Sequence, residues 1–163
     1  MKEEFKYYFT NFFKLDRQVG YERYRKQEWV IMFLILIPGI LLYFILDYYA
    51  VDTYTEEFYK LSDQQQNLVE RHEFLKLHIS FLLFYLFMFS VSFTNEVQRF
   101  NFRNVSWKKN YAIKGGLILL SVVIFFYQYI SFNIGFPFAI FILLLSSFTT
   151  IANRYMTREE ELQ

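Results

Sequence analysis

The chain has 163 residues, of which 55% are hydrophobic and 23% aromatic, and its formal net charge is +1. A charge so close to zero argues against a nucleic-acid partner, because binding to phosphate backbones needs a concentrated basic face. The absence of cysteine excludes disulfides, thiolate metal sites and thiol-based redox catalysis. The apolar residues come in unbroken blocks instead of one stripe per helix, and such blocks are typical of helices that lie in a membrane.

Residues 1–28 form the first predicted region, an N-terminal amphipathic helix. Phe5, Phe9 and Phe12 recur at helical spacing, with basic residues between them. Two interpretations remain open for this aromatic stripe. In one, the helix lies in the membrane interface with its basic side chains toward lipid head groups. In the other, the stripe docks on a neighbouring subunit. We expect no cleavable signal peptide, because the first apolar run starts only at residue 29.

Three charge-free runs predict an all-α, polytopic membrane protein with four transmembrane helices. Residues 29–46 and 77–95 make runs of eighteen and nineteen residues, each long enough to cross most of a hydrocarbon core about 30 Å thick. Residues 115–153 would form a helix of about 58 Å, so we expect this run to turn near 131–137. The predicted domain 29–153 therefore contains spans at about 29–49, 74–95, 114–131 and 136–153, and a polar tail follows at 154–163.

The segment between the first two spans is predicted to form a short projecting helical hairpin. Phe58, Leu61 and Leu68 recur at helical steps, and Ser62 with Gln65 resembles a capping box that starts the helix of the second span. We expect the two spans to continue as short helices beyond the membrane and to join near residues 61–64. Such a hairpin is either a docking surface for a partner or a solvated turn. Within the first span, Pro38 predicts a kink.

The basic residues predict the orientation of the chain. Of the 17 Lys and Arg residues, seven precede the first span, three lie between the first and second, five lie between the second and third, and two follow the fourth. The positive-inside rule then puts both termini on the cytoplasmic side of a bacterial inner membrane, or on the matrix side of a mitochondrial inner membrane.

The segment between the second and third spans interleaves aromatic and basic side chains. This composition suits an anionic leaflet or a bound phospholipid head group. The candidate head-group ligands are Arg99, Arg103, Trp107, Lys108 and Lys109.

Ionisable residues at membrane depth are functional candidates by default, because leaving a charge there is costly. Asp47, His78 and Lys114 all lie close to a predicted interface, and no charge lies at the centre of a span. His72 and His78 are six residues apart, so on one helix they diverge and do not match a zinc-protease motif. We predict no catalytic residue, no metal site and no cofactor, although bound phospholipids are compatible with the composition.

Three functions are weighed from these features. The first is a non-catalytic accessory or structural subunit of a larger membrane complex, with other membrane-protein subunits and phospholipids as partners. The second is a small oligomeric channel or transporter. The third is an integral membrane enzyme that acts on lipid with His72, Glu73 and His78. The absence of mid-membrane charge favours the first, since ion-coupled carriers and proton pumps generally need such groups. A channel would have to be lined by the polar residues of the spans, which are Ser90, Ser92, Thr94, Gln128, Ser146, Ser147 and Thr150.

Overall fold

The computed structural model describes residues 2–51, 55–131 and 138–147, and these residues form helices and their connections without any strand. Three of the helices are long and apolar enough to cross a membrane, which confirms the predicted all-helical membrane class. The helices are α1 Lys2–Asn11, α2 Tyr21–Tyr48, α3 Glu56–Tyr59, α4 Asp63–Phe102, α5 Trp107–Ser131 and the shorter apolar α6 Phe138–Ser147.

The first three predicted spans correspond to α2, α4 and α5. The fourth predicted span is not confirmed: within it, the described residues form the ten-residue apolar helix α6. The remainder of that predicted span lies outside the described residues, as do the tail at 154–163 and, apart from Ser131, the predicted turn at 131–137.

The projecting hairpin is not confirmed in the predicted form. The helix α2 continues through Pro38 and ends at Tyr48, two residues after its apolar run. In contrast, α4 has 40 residues and a length of about 60 Å, twice the thickness of the hydrocarbon core. The capping interaction at its start is present, because the Ser62 backbone N–H donates to Gln65 Oε1 over 3.1 Å. Among the described residues before α4, only the single turn α3 is helical after α2 ends.

A four-residue connection joins α4 and α5. Asn104 adopts a left-handed conformation with φ of 53°, which asparagine tolerates better than most residues. The Asn104 and Val105 N–H groups donate to the carbonyl oxygens of Asn101 and Phe100, both over 3.1 Å. This pair of bonds is a Schellman motif, and it turns the chain directly into α5.

The central element of the fold is α4. On one side, α1 and α2 pack against it around a buried cluster of Tyr8, Val30, Ile31 and Val91. On the other side, α5 and α6 are joined by a hydrogen bond of 2.7 Å from Ser121 Oγ to the Ala139 carbonyl oxygen. The outward faces of α2, α4 and α5 remain apolar and largely exposed in the isolated chain.

Candidate functional site

The most extensive buried polar region lies where α1 and the segment after it meet the C-terminal half of α4. Positions 91, 94, 98 and 101 share one face of α4, because they are three or four residues apart. This face and the chain segment 8–19 that it binds are called the N-terminal junction below.

Side chains of α4 hold the backbone of the N-terminal segment along this face. Thr94 Oγ1 donates to the Phe12 carbonyl oxygen. Gln98 Nε2 donates to the carbonyl oxygens of Asn11 and Lys14, over 3.2 and 2.8 Å, and Asn101 Nδ2 donates to that of Leu15 over 2.6 Å. The Asn11 and Lys14 carbonyl oxygens also accept backbone N–H groups of the segment, over 3.0 and 3.4 Å, so the α4 side chains add to the turns that the segment forms itself.

Two further bonds complete the junction. The Val19 N–H donates to the Gln98 carbonyl oxygen over 3.2 Å, and Tyr8 Oη donates to the Val91 carbonyl oxygen over 2.7 Å. Burial raises the pKa of the Tyr8 hydroxyl above its ordinary value, so this group remains protonated and can donate. The junction thus fixes α1 on the chain's own helices.

The helices α1 and α2 are also joined directly. Gln27 is 2% exposed, and its Nε2 donates to Glu4 Oε2 over 2.5 Å. The Arg23 guanidinium lies over the Tyr7 ring, 4.5 Å from the ring centroid, a geometry that favours a cation–π interaction. These contacts hold Glu4 and Tyr7 of α1 against α2.

A buried ion pair links α4 to α5 at the same end of the bundle. Lys114 Nζ lies 2.8 Å from Glu96 Oε2, and the two side chains are 3% and 7% exposed. Tyr111 Oη donates to the same carboxylate oxygen over 2.9 Å. The pair neutralises two charges that would otherwise be costly to bury, so it serves to fix α5 on α4.

The five predicted head-group ligands lie in two different environments. Arg99 is 3% exposed, and its guanidinium lies 5.3 to 6.0 Å from the centroids of the Tyr21, Tyr24 and Phe102 rings. Its charge is therefore directed into the protein. The other four lie on or close to the α4–α5 connection and are exposed or half-buried, namely Arg103, Trp107, Lys108 and Lys109.

The predicted docking residues are divided in the same way. Phe5 and Phe12 pack against the buried cluster of α1, α2 and α4, whereas Phe9 is 61% exposed. In the second group, Phe58 is buried and Leu61 half-buried, but Leu68 is 59% exposed. Only Phe9 and Leu68 among these six present most of their apolar surface outward.

The two histidines have different surroundings. His72 is exposed, whereas His78 is 5% exposed and lies with its ring centroid 3.9 Å from that of Phe74 and 5.3 Å from that of Phe125. Glu73 forms an ion pair of 2.7 Å with Lys76. Within the described ranges, no group of three or more His, Asp or Glu side chains is placed to hold a metal ion.

Among the cavities that the described residues line, two lie between long helices and have volumes above 200 Å³. The larger, of about 730 Å³, lies between the C-terminal half of α2 and the N-terminal half of α4. Its lining includes the charged residues Asp47 and Glu70. The smaller, of about 240 Å³, lies between α4, α5 and α6 and is lined by apolar side chains together with His78 and Ser121. Both are large enough to accept part of an apolar molecule.

Most polar side chains that could line a channel bind the chain itself. Ser90 and Ser92 donate to carbonyl oxygens one turn earlier in α4. Gln128 Oε1 accepts from the Ala139 N–H over 3.4 Å, and Tyr85 Oη and Ser146 Oγ share a hydrogen bond. Thr94 belongs to the N-terminal junction, and Thr150 lies outside the described residues.

The sequence interpretation missed the buried ion pair and the junction. Glu96 and Lys114 lie nine residues to either side of Val105, so a helical hairpin centred there would bring them to the same level. That symmetry is a signal that could have identified the pair. No family model, curated protein or solved structure matched this chain.

Proposed function

We propose that this chain is a non-catalytic accessory or structural subunit of a larger multi-subunit membrane complex, where it mediates subunit and lipid packing. A respiratory-chain or ATP-synthase assembly and a bacterial envelope machine are suitable hosts.

The observation that carries the proposal is the contrast between the junction and the long helices. In the most apolar windows of α2, α4 and α5, only 11%, 22% and 17% of the residues are buried by the chain itself. By comparison, α4 is buried almost continuously from Thr94 to Phe100. The bundle is therefore fixed at one end and leaves long apolar faces for lipid or for other subunits.

The use of the polar groups also supports a structural role. A water-filled path needs polar side chains that face a lumen, and a reaction site needs groups whose donors and acceptors reach a substrate. Here Ser90, Ser92, Gln128 and Ser146 have partners within the chain. These contacts favour helix packing over conduction or catalysis.

The finer topology is part of the proposal. We infer that α6 belongs to a fourth span and that both termini face the cytoplasm or the matrix across an inner membrane. In support, the N-terminal segment and the α4–α5 connection meet at the same end of the bundle. The residues before the first span and those between the second and third predicted spans together contain 12 of the 17 Lys and Arg residues of the chain.

Two surfaces are proposed for contact with the surroundings. The α4–α5 connection and the first turn of α5 would bind an anionic head group. The binding groups would be Arg103, Lys108 and Lys109, with Trp107 at the membrane interface. Phe9 on α1 and Leu68 on the projecting part of α4 would contact partner subunits, because both are large apolar side chains outside the charge-free spans.

The experiment that tests this function is extraction in a mild detergent, native sizing and identification of the co-migrating chains by mass spectrometry. We expect the chain, whose mass is 20.1 kDa, to migrate in a much larger particle with other membrane proteins. A small particle that contains only this chain and detergent would overturn the proposal. A vesicle flux assay on the purified chain tests the channel alternative, and we expect no flux above that of empty vesicles.

A further inference from the structure

The cleft between α4, α5 and α6 has a mostly apolar wall that includes the imidazole of His78. It has a volume of about 240 Å³, and Leu82, Val122 and Leu143 line it from the three helices. His78 lines the same cleft and is 5% exposed. A buried polar side chain in such a wall normally has a hydrogen-bond partner for each of its polar atoms.

The hydrogen bonding of His78 fixes which of its nitrogens carries the proton. Nδ1 lies 2.8 Å from the carbonyl oxygen of Phe74. A carbonyl oxygen can only accept, so Nδ1 must carry the hydrogen and donate it. In the neutral ring, Nε2 is then an acceptor with a lone pair.

This acceptor has no partner in the part of the chain that the structure describes. Nε2 of His78 is buried, and no hydrogen bond to it is formed by any described residue. An acceptor left in this state has lost its hydration without a replacement, which has a free-energy cost. A molecule that brings a donor into the cleft would recover part of that cost.

We propose that this cleft binds an apolar molecule that bears a hydroxyl group, with its hydrocarbon part against Leu82, Val122 and Leu143 and its O–H donating to Nε2 of His78. A ketone or an ester has no proton to donate, and an ammonium group would be too costly to place among apolar side chains. The volume is below the range of about 300–1,000 Å³ typical of drug-sized ligands, so it suits a segment of an alkyl chain.

Entry of the hydroxyl requires a small local movement. Phe125 both lines the cleft and lies beside the imidazole, with the two ring centroids 5.3 Å apart. Because Nε2 is itself buried, we expect the Phe125 ring to turn as the hydroxyl approaches. The proposal does not depend on the subunit role, since the cleft is formed by this chain alone.

The test uses the purified full-length chain in nanodiscs and a matched pair of photoreactive probes. One probe is a long-chain alcohol with a diazirine in the middle of its chain, and the other is the methyl ether of the same alcohol. The ether keeps the hydrocarbon but cannot donate a hydrogen bond. After irradiation, the labelled residues are mapped by mass spectrometry. We expect the alcohol to label the cleft residues about fivefold more than the ether does, which is the effect of one hydrogen bond of about 1 kcal/mol.

Variants locate the effect. His78→Leu should make the two probes label equally, whereas His72→Leu, at an exposed position on the same helix, should leave the preference unchanged. Val122→Trp should abolish cleft labelling by filling the space. Equal labelling by both probes in the unmodified chain would overturn the proposal, and this comparison needs no variant to fold. Labelling that persists in Val122→Trp, or that occurs only on the outward faces of the helices, would also overturn it.

Discussion

The buried ion pair between α4 and α5 provides the sharpest prediction for stability. In Lys114→Met the ammonium group is removed, but the Glu96 carboxylate remains 7% exposed beside Tyr111. Removing one partner of a buried pair generally costs about 3–5 kcal/mol, because the other charge is left without compensation. We therefore expect the free energy of unfolding of this variant to fall by about that amount.

The double variant separates the charge from the packing. With Glu96→Gln added to Lys114→Met, no charge remains buried, and the amide oxygen can still accept from the Tyr111 hydroxyl. Replacement of a whole buried pair by uncharged groups is often neutral or stabilising. We expect the double variant to recover most of the loss and to lie within about 1 kcal/mol of the unmodified chain.

The assay is unfolding in mixed micelles with increasing denaturing detergent, followed by tryptophan fluorescence. Lys109→Met is the matched control, because Lys109 is exposed on the same helix and its removal should change the free energy of unfolding by less than about 0.5 kcal/mol. The pair does not hold α5 on α4 if Lys114→Met lowers the free energy of unfolding no more than the control does. The same conclusion follows if the double variant is as unstable as the single one.

Two further predictions concern the junction and the small residues of the spans. Gln98→Leu removes two side-chain hydrogen bonds to the N-terminal segment, so hydrogen exchange of residues 11–19 should rise by about tenfold or more; unchanged exchange would contradict the junction. Gly116→Ala should stabilise the isolated chain by about 0.5–1 kcal/mol, because nothing lies within 4 Å of the added Cβ. Gly39→Ala should gain less, since its Cβ would lie 3.0 Å from the Phe84 ring; a larger gain at Gly39 than at Gly116 would refute this comparison.

The class of the fold could be predicted from the sequence because it depends on long apolar runs, which are local features. The ends of the helices were harder to predict from the sequence. The start of α4 was predicted from the capping box of Ser62 and Gln65, which is a local signal. The end of α2 at Tyr48 was not predicted, because composition alone does not distinguish a helix that extends into water from a loop that has the same residues.

The surroundings of individual side chains depend on tertiary contacts and could not be predicted from local pattern. Arg99 and Lys108 lie in the same basic and aromatic segment of the sequence. Arg99 is nevertheless buried among the rings of three residues, two of which are in α2. Phe12 belongs to the same predicted stripe as Phe9, yet it packs inward. In each pair, the side chain that is buried lies on the face that a neighbouring helix covers.

The central claim is that this chain acts through its contacts with other membrane proteins, and photocrosslinking in native membranes tests it most directly. A photoreactive amino acid would replace Phe9 or Leu68, which are exposed, and Val97, which is fully buried, would serve as the control position. The account predicts adducts with defined partner chains from Phe9 or Leu68 and none from Val97. Adducts with lipid alone from both exposed positions would contradict it.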